Sequence, residues 1–275
     1  MVESMRVLCF AVALAVTASA AEIETREVIH EAGTATANGF FAAPGRAGPF
    51  PGVMVVHDWW GLDDYARSRA RLLAGLGYVA LAVDLYGDGK STEDPRKAFA
   101  HMSEIRNNTP ELHARFTDAM RFLQNHPKSD RDKIAAVGYG FGGNVVLQMA
   151  RNGLPGLDGA AGFYATLELR EPNPPVHKIT ARILVCHGGG DPFVKPESVE
   201  TFKRTMQELG ADLRFVSYKD ALHGFSNPSA TRLGKSYGIP LKYDGPAERA
   251  SHDELDKFLR RLWDHAGPAA SKVPD

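Results

Sequence analysis

The chain has 275 residues, 44% of them hydrophobic and 24% charged, enough to bury the core of one large α/β domain or two small ones. A formal net charge of −1 gives no electrostatic footprint for nucleic acid or for an anionic membrane surface, so neither is expected as a partner. Small, weakly charged molecules are the expected substrates.

The elements begin after a leader. Met5-Arg6 precedes the apolar run VLCFAVALAV, and Ala18-Ser19-Ala20 has the small-x-small form of a signal-peptidase site. Residues 1–20 are therefore expected to be removed on export, leaving residues 21–275 as one periplasmic or secreted domain. The run is too short to span a bilayer, and Cys9 lies too far from the cleavage site to carry a lipid, so no membrane attachment is expected afterwards. Cys186 is then the only cysteine, which excludes an intramolecular disulfide; ending the apolar run ARILVC, it is expected in a strand interior.

In chain order, EIETREVIHEAGTATANGFFAAP reads as a hairpin turning at AGTA, and PFPGVMVVHDWWG as a strand. DDYARSRARLLAGLG has helical spacing and closes at Gly77; YVALAVDLYG is a second buried strand. TPELHARFTDAMRFLQNH predicts a helix capped by Thr109 with Pro110 at its first position. KIAAVGYG and NVVLQMARNG are strand and helix, and LDGAAGFYA and ARILVCHGGGD are strands. PESVETFKRTMQELG is a helix, LRFVSY a strand and ERASHDELDKFLRRLWDHA a closing helix, with a Pro/Ala-rich tail after Gly267. Such alternation predicts a single doubly wound, mostly parallel sheet with helices on both faces.

Gly138, Gly140 and Gly143 admit two readings. They spell G-x-G-x-x-G, a dinucleotide-binding turn, and they also fit the G-x-nucleophile-x-G elbow with Gly140 where a Ser or Cys would stand. A dinucleotide turn opens its domain and is followed about 20 residues on by an acidic residue ending the next strand. Here two strand-helix units come first, and neither Asp158 nor Glu168 sits well for that role. The elbow reading gains from Asp191 in HGGGDPFV and His223 in ALHGFSNP: nucleophile position, acid and histidine follow in that order, each after a strand. No nucleotide cofactor is expected.

VVHDWWGLDDYARSRARLLAGLGYVALAVDLYGDGK, VGYGFGGNVV, VCHGGGDPFV and YKDALHGFSNP together resemble the dienelactone hydrolases, carboxymethylenebutenolidase-like proteins of the α/β-hydrolase fold. The resemblance implies Asp191 and His223 as acid and base, and the backbone N–H groups of Trp59 and Phe141 as an oxyanion hole. It also places the family's nucleophile on Gly140, and on Asp58 the acidic residue, normally Glu, that couples to that nucleophile. The arginine that grips a substrate carboxylate shortly after the family's histidine has no counterpart, since Gly-Phe-Ser-Asn follows His223.

Two functions follow. One is hydrolysis of a small ester or lactone by water, with the His-Asp pair as base and no side-chain nucleophile. The other is a non-catalytic pocket that binds a small carbonyl compound or a partner protein. Trp59 and Trp60 are expected to wall the pocket, with packing beneath the sheet edge an equal alternative for Trp60. Ser226 and Cys186 are remote substitute nucleophiles, since neither stands on a strand-to-helix elbow. His57 and Asp58, adjacent on a strand, would face opposite sides, so no metal is expected. No pattern specifies an oligomer.

Overall fold

The computed structural model describes residues 22–170 and 176–263. The expected leader and the C-terminal tail lie outside the described residues. Strands β1 (Ile23–Ala32) and β2 (Ala35–Pro44) form the predicted antiparallel hairpin, turning at Gly33 and Thr34. The core strands are β3 (Phe50–Val56), β4 (Val79–Val83), β5 (Ser129–Tyr139), β6 (Gly159–Phe163), β7 (Arg182–Gly188) and β8 (Leu213–Tyr218). Sheet order is β1-β2-β4-β3-β5-β6-β7-β8, parallel from β4 through β8 and antiparallel only at the hairpin edge.

Period-two alternation divides the core into two layers. Met54 and Val56 face one side and Val53 and Val55 the other; Ile183 and Val185 oppose Leu184 and Cys186 in the same way. Helices α3 (Thr109–Asn125), α4 (Phe141–Arg151) and α5 (Pro196–Glu208) cover the first layer. The second lies under α1 (Asp64–Gly75) and α7 (Gly245–Trp263). Both faces are covered, which is why the parallel strands read as unbroken apolar runs rather than alternating ones.

Two short helices escape the sequence pattern: α2 (Pro95–Asn107) buries only Ala98 and Ile105, and α6 (Ala230–Tyr237) only Ala230, Leu233 and Gly234. Neither has a wide enough apolar stripe to stand out. The cap of α3 also moves by one residue. Asn108, not Thr109, is the N-cap, its side chain accepting from the Glu111 N–H at 3.3 Å, so Pro110 is the second helical residue.

Chain order reverses across β3, which has β4 on one side and β5 on the other. A crevice opens beyond the carboxyl ends of the strands at such a switch point. Residues 57–60 follow β3, Gly140 follows β5, Asp191 follows β7 and His223 follows β8.

Candidate active site

The turn from β5 into α4 is a sharp elbow. Gly140 has φ +50° and ψ −112°, a conformation costly to a residue with a side chain. The elbow is tight because its glycines let backbone meet backbone: a Cβ on Gly138 would lie 2.1 Å from the Gly142 carbonyl oxygen, and one on Gly142 would lie 2.3 Å from that of Val56. Close approach of α4 to β3 and β5 thus accounts for these glycines. Gly140 differs. A Cβ there would meet Tyr164 Cε2 at 3.3 Å, Asp58 Cβ at 3.4 Å and His223 Nε2 at 3.5 Å, tight contacts but with side chains only. The elbow points its side-chain direction at the histidine.

His223 is oriented by Asp191, whose Oδ2 lies 2.7 Å from Nδ1. The other carboxylate oxygen of Asp191 accepts the Phe193 N–H at 2.8 Å, and the residue is buried. This bond sets the proton of the neutral imidazole on Nδ1 and leaves Nε2 free to accept. The backbone of the histidine loop is held by a following strap, with the Lys242 N–H donating to His223 O at 3.2 Å and the Asp244 N–H to Phe225 O at 2.9 Å.

Across the crevice, the N–H groups of Trp59 and Phe141 make no hydrogen bond among the described residues, while that of Gly140 is used on Phe163 O at 2.9 Å. Phe141 is the first residue of α4, where backbone N–H groups have no intrahelical acceptor. Phe141 adjoins the elbow directly and Trp59 follows Asp58, whose Cβ is 3.4 Å from the Cβ position of Gly140, so both unbonded donors belong to residues next to the elbow. The Trp59 carbonyl accepts from the Tyr86 hydroxyl at 3.1 Å, and the turn carrying Tyr86 is held by the buried Asp84 carboxylate, which accepts from the N–H groups of Tyr86, Gly87 and Gly89.

Asp58 lies beneath this loop, accepting from the Trp60 N–H at 2.8 Å and facing the Asn227 amide at 3.5 Å. Burial, and then the charge of Asp63, pushes its carboxyl well above the usual carboxylate range.

The remaining sequence candidates separate. Trp60 is 4% exposed and packs against Ala98, Ala230, Leu233 and Leu241, so the packing alternative applies to it; Trp59 is half-buried, with its ring 4.6 Å from that of Trp60 at the edge of the same cluster. Ser226 is buried and bonded to the Tyr65 hydroxyl at 2.7 Å. Cys186 is buried, as expected, and burial pushes its thiol up to about 12. Neither offers a nucleophile. His57 and Asp58 lie beyond β3 rather than within it, so strand alternation does not govern them. His57 is instead held by its own turn, Nδ1 donating to Asp58 O at 2.6 Å and Nε2 accepting the Leu85 N–H at 3.3 Å. No group of three or more His, Cys, Asp or Glu side chains gathers as a metal site among the described residues.

Tyr164, Phe193, Tyr86 and Asn227 entered no sequence reading. Tyr164 stacks edge-on to His223 at 5.2 Å, and Phe193 does so at 5.1 Å. Their placement just beyond β6 and β7 was the available signal.

The profile of the dienelactone hydrolase family matches residues 37–262. A dienelactone hydrolase-like promiscuous phosphotriesterase from metagenomic libraries has a crystal structure that is 32% identical, with a TM-score of 0.80, covering 87% of this chain and 98% of that one. A Methylorubrum extorquens protein provisionally described as a carboxymethylenebutenolidase is 27% identical over 194 residues, 67% of this chain and 66% of its own length. An α/β-hydrolase from a deep-sea metagenome, 15% identical with a TM-score of 0.65 over 88% of this chain and 99% of that one, shares the fold.

Proposed function

Because the chain belongs to the dienelactone hydrolase family, a group of α/β-hydrolases, we propose that it hydrolyses a small ester or lactone with water in place of a side-chain nucleophile. The observation that carries this reading is the elbow of Gly140, whose side-chain direction ends 3.5 Å from His223 Nε2 beside two free N–H donors. In this mechanism the substrate carbonyl oxygen accepts from the N–H groups of Trp59 and Phe141. A water above Gly140 gives its proton to His223 Nε2 as its oxygen attacks the carbonyl carbon. Negative charge moves onto the carbonyl oxygen, where the two donors stabilise it; Asp191 stabilises the imidazolium. When the tetrahedral species collapses, the C–O bond to the leaving group breaks and the imidazolium returns the proton to it.

The expected result is turnover of activated esters such as p-nitrophenyl butyrate by wild type and its loss in His223→Ala. Neutral phosphotriesters belong in the same panel, since a relative of 32% identity is described as a promiscuous phosphotriesterase. Equal, near-background rates in the two proteins would sink hydrolysis. Gly140 itself favours the second reading, a non-catalytic pocket for a small carbonyl compound, and that result would leave it standing. The proposal also takes the protein to be exported after removal of residues 1–20. Mass spectrometry of the exported chain that finds those residues retained would refute this part.

A further inference from the structure

Phe193 presents a large apolar side chain that the fold leaves unburied. It is 45% exposed, yet its position is set: its N–H is bonded to Asp191, and its ring stands edge-on to His223 at 5.1 Å. Across the crevice lie Trp59 and Phe141, whose N–H groups are the free donors, with Tyr86 stacked on Phe141 at 6.3 Å. A carbonyl compound held by those donors therefore lies between the exposed ring of Phe193 and the residues Trp59 and Phe141.

Among the described residues no lysine or arginine bonds the side chains of Asp58, Asp191 or His223. The segment after His223 turns inward as neutral residues: Phe225 is fully buried, Ser226 is spent on Tyr65 and Asn227 faces Asp58. Arg69 is already paired with Glu248, and Arg115 with Glu111 and Leu85 O. An ionised carboxylate brought here would lose water and would have to compete with the existing partners of Arg69 and Arg115 for a counter-charge, a penalty a neutral group does not meet.

We infer that this site takes neutral esters or lactones bearing an aryl group, gripped by Phe193, Trp59 and Phe141, and rejects those carrying an ionised carboxylate near the carbonyl. The inference rests on the hydrolase reading only for where the carbonyl sits, so it is tested by binding. Butyrophenone and 3-benzoylpropionate are ketones that cannot be hydrolysed; they share the phenyl and carbonyl groups and differ by a methyl against a carboxylate. Calorimetry on the full chain should give butyrophenone at least about tenfold the affinity of 3-benzoylpropionate. Phe193→Ala and Trp59→Ala should each weaken butyrophenone by about 2- to 10-fold, the range of one aromatic contact, and 2-hexanone should bind less tightly than butyrophenone. Equal or tighter binding of the anion would overturn the inference, as would no binding of butyrophenone up to its solubility or a preference that neither variant moves. Ester turnover can fail while this preference holds, and that pairing would refute hydrolysis alone.

Discussion

At the residue scale, Gly140 has the most to explain, because the proposed mechanism takes it to stand where the family's nucleophile would, on an elbow that the structure keeps. Gly140→Cys should gain His223-dependent esterase activity. Loss of a triad nucleophile costs on the order of a millionfold in kcat in a well-studied serine protease, so restoring a thiol in a preserved site should recover several decades. It should also lower stability by about 1 to 3 kcal/mol, since a side chain at φ +50° is strained where glycine is not. A p-nitrophenyl ester assay and a thermal melt read both effects; Gly140→Cys/His223→Ala is the control, and a variant with no His223-dependent gain would count against the site. Asp58→Asn checks the role given to its carboxyl. Asparagine keeps an acceptor for the Trp60 N–H, and the proposed base is His223, so most of the wild-type rate should survive; a collapse of kcat with unchanged KM would make Asp58 the working base instead. Gly140, Asp191 and His223 were legible because each stands just after a strand. Asn227 and Phe193 were not, because what matters about them is the direction of a side chain within a loop.

At the element scale, the contact of α4 with β3 and β5 is the part that tolerates least change. Gly142→Ala would put a methyl group 2.3 Å from the Val56 carbonyl oxygen and 2.4 Å from that of His57, so strand and helix must separate. Overpacking of a core usually costs about 1 to 3 kcal/mol, and rigid backbone on both sides places this substitution at the upper end or beyond. Denaturant unfolding should show the loss; a melt within error of wild type would mean that α4 can shift freely. Strong elements were readable because each buries a full stripe or run. The pattern could not show α2 and α6, which lean on the molecule by two or three residues each.

At the scale of the whole molecule, a buried polar cluster joins distant parts of the chain. Arg69 of α1 bonds Glu248 at 3.2 Å and donates to His252 Nε2 at 2.6 Å, both on α7; Glu248 also accepts from the Tyr243 hydroxyl. Tyr243 belongs to the strap that bonds the backbone of the His223 loop, so the cluster ties the second helical layer to the site. Burial, and then the charge of Arg69, drives His252 down to about 3 from an ordinary 6.5. A base with a depressed folded pKa is fully stabilising above its unfolded pKa. Below it the unfolded chain binds a proton that the folded one refuses. Stability should therefore fall between pH 6.5 and about 3 at about 1.4 kcal/mol per pH unit. Asp58, raised by burial, works in the opposite sense, so the contribution of His252 is isolated by comparing His252→Gln with wild type in urea melts at pH 7.5 and 5. The variant should lose about 2 kcal/mol less than wild type over that interval. Identical slopes would show that His252 is free to protonate in the folded state.

The sequence alone determined the doubly wound architecture and the positions in the chain from which chemistry could come. Both are written in short-range pattern: apolar runs the length of a buried strand, helical spacing between them, and small residues where strand meets helix. Tertiary structure decided what those positions face. Nothing local to Gly140 says that its side-chain direction ends at His223 Nε2, 83 residues further along the chain, or that Ser226 is spent on a tyrosine hydroxyl from α1. The surroundings of the crevice were equally hidden, because Trp59, Tyr86, Phe141 and Phe193 follow four separate strands. Which side chains meet there depends on sheet order and on the crossover of β3, and these are set by burying both faces of the sheet at once.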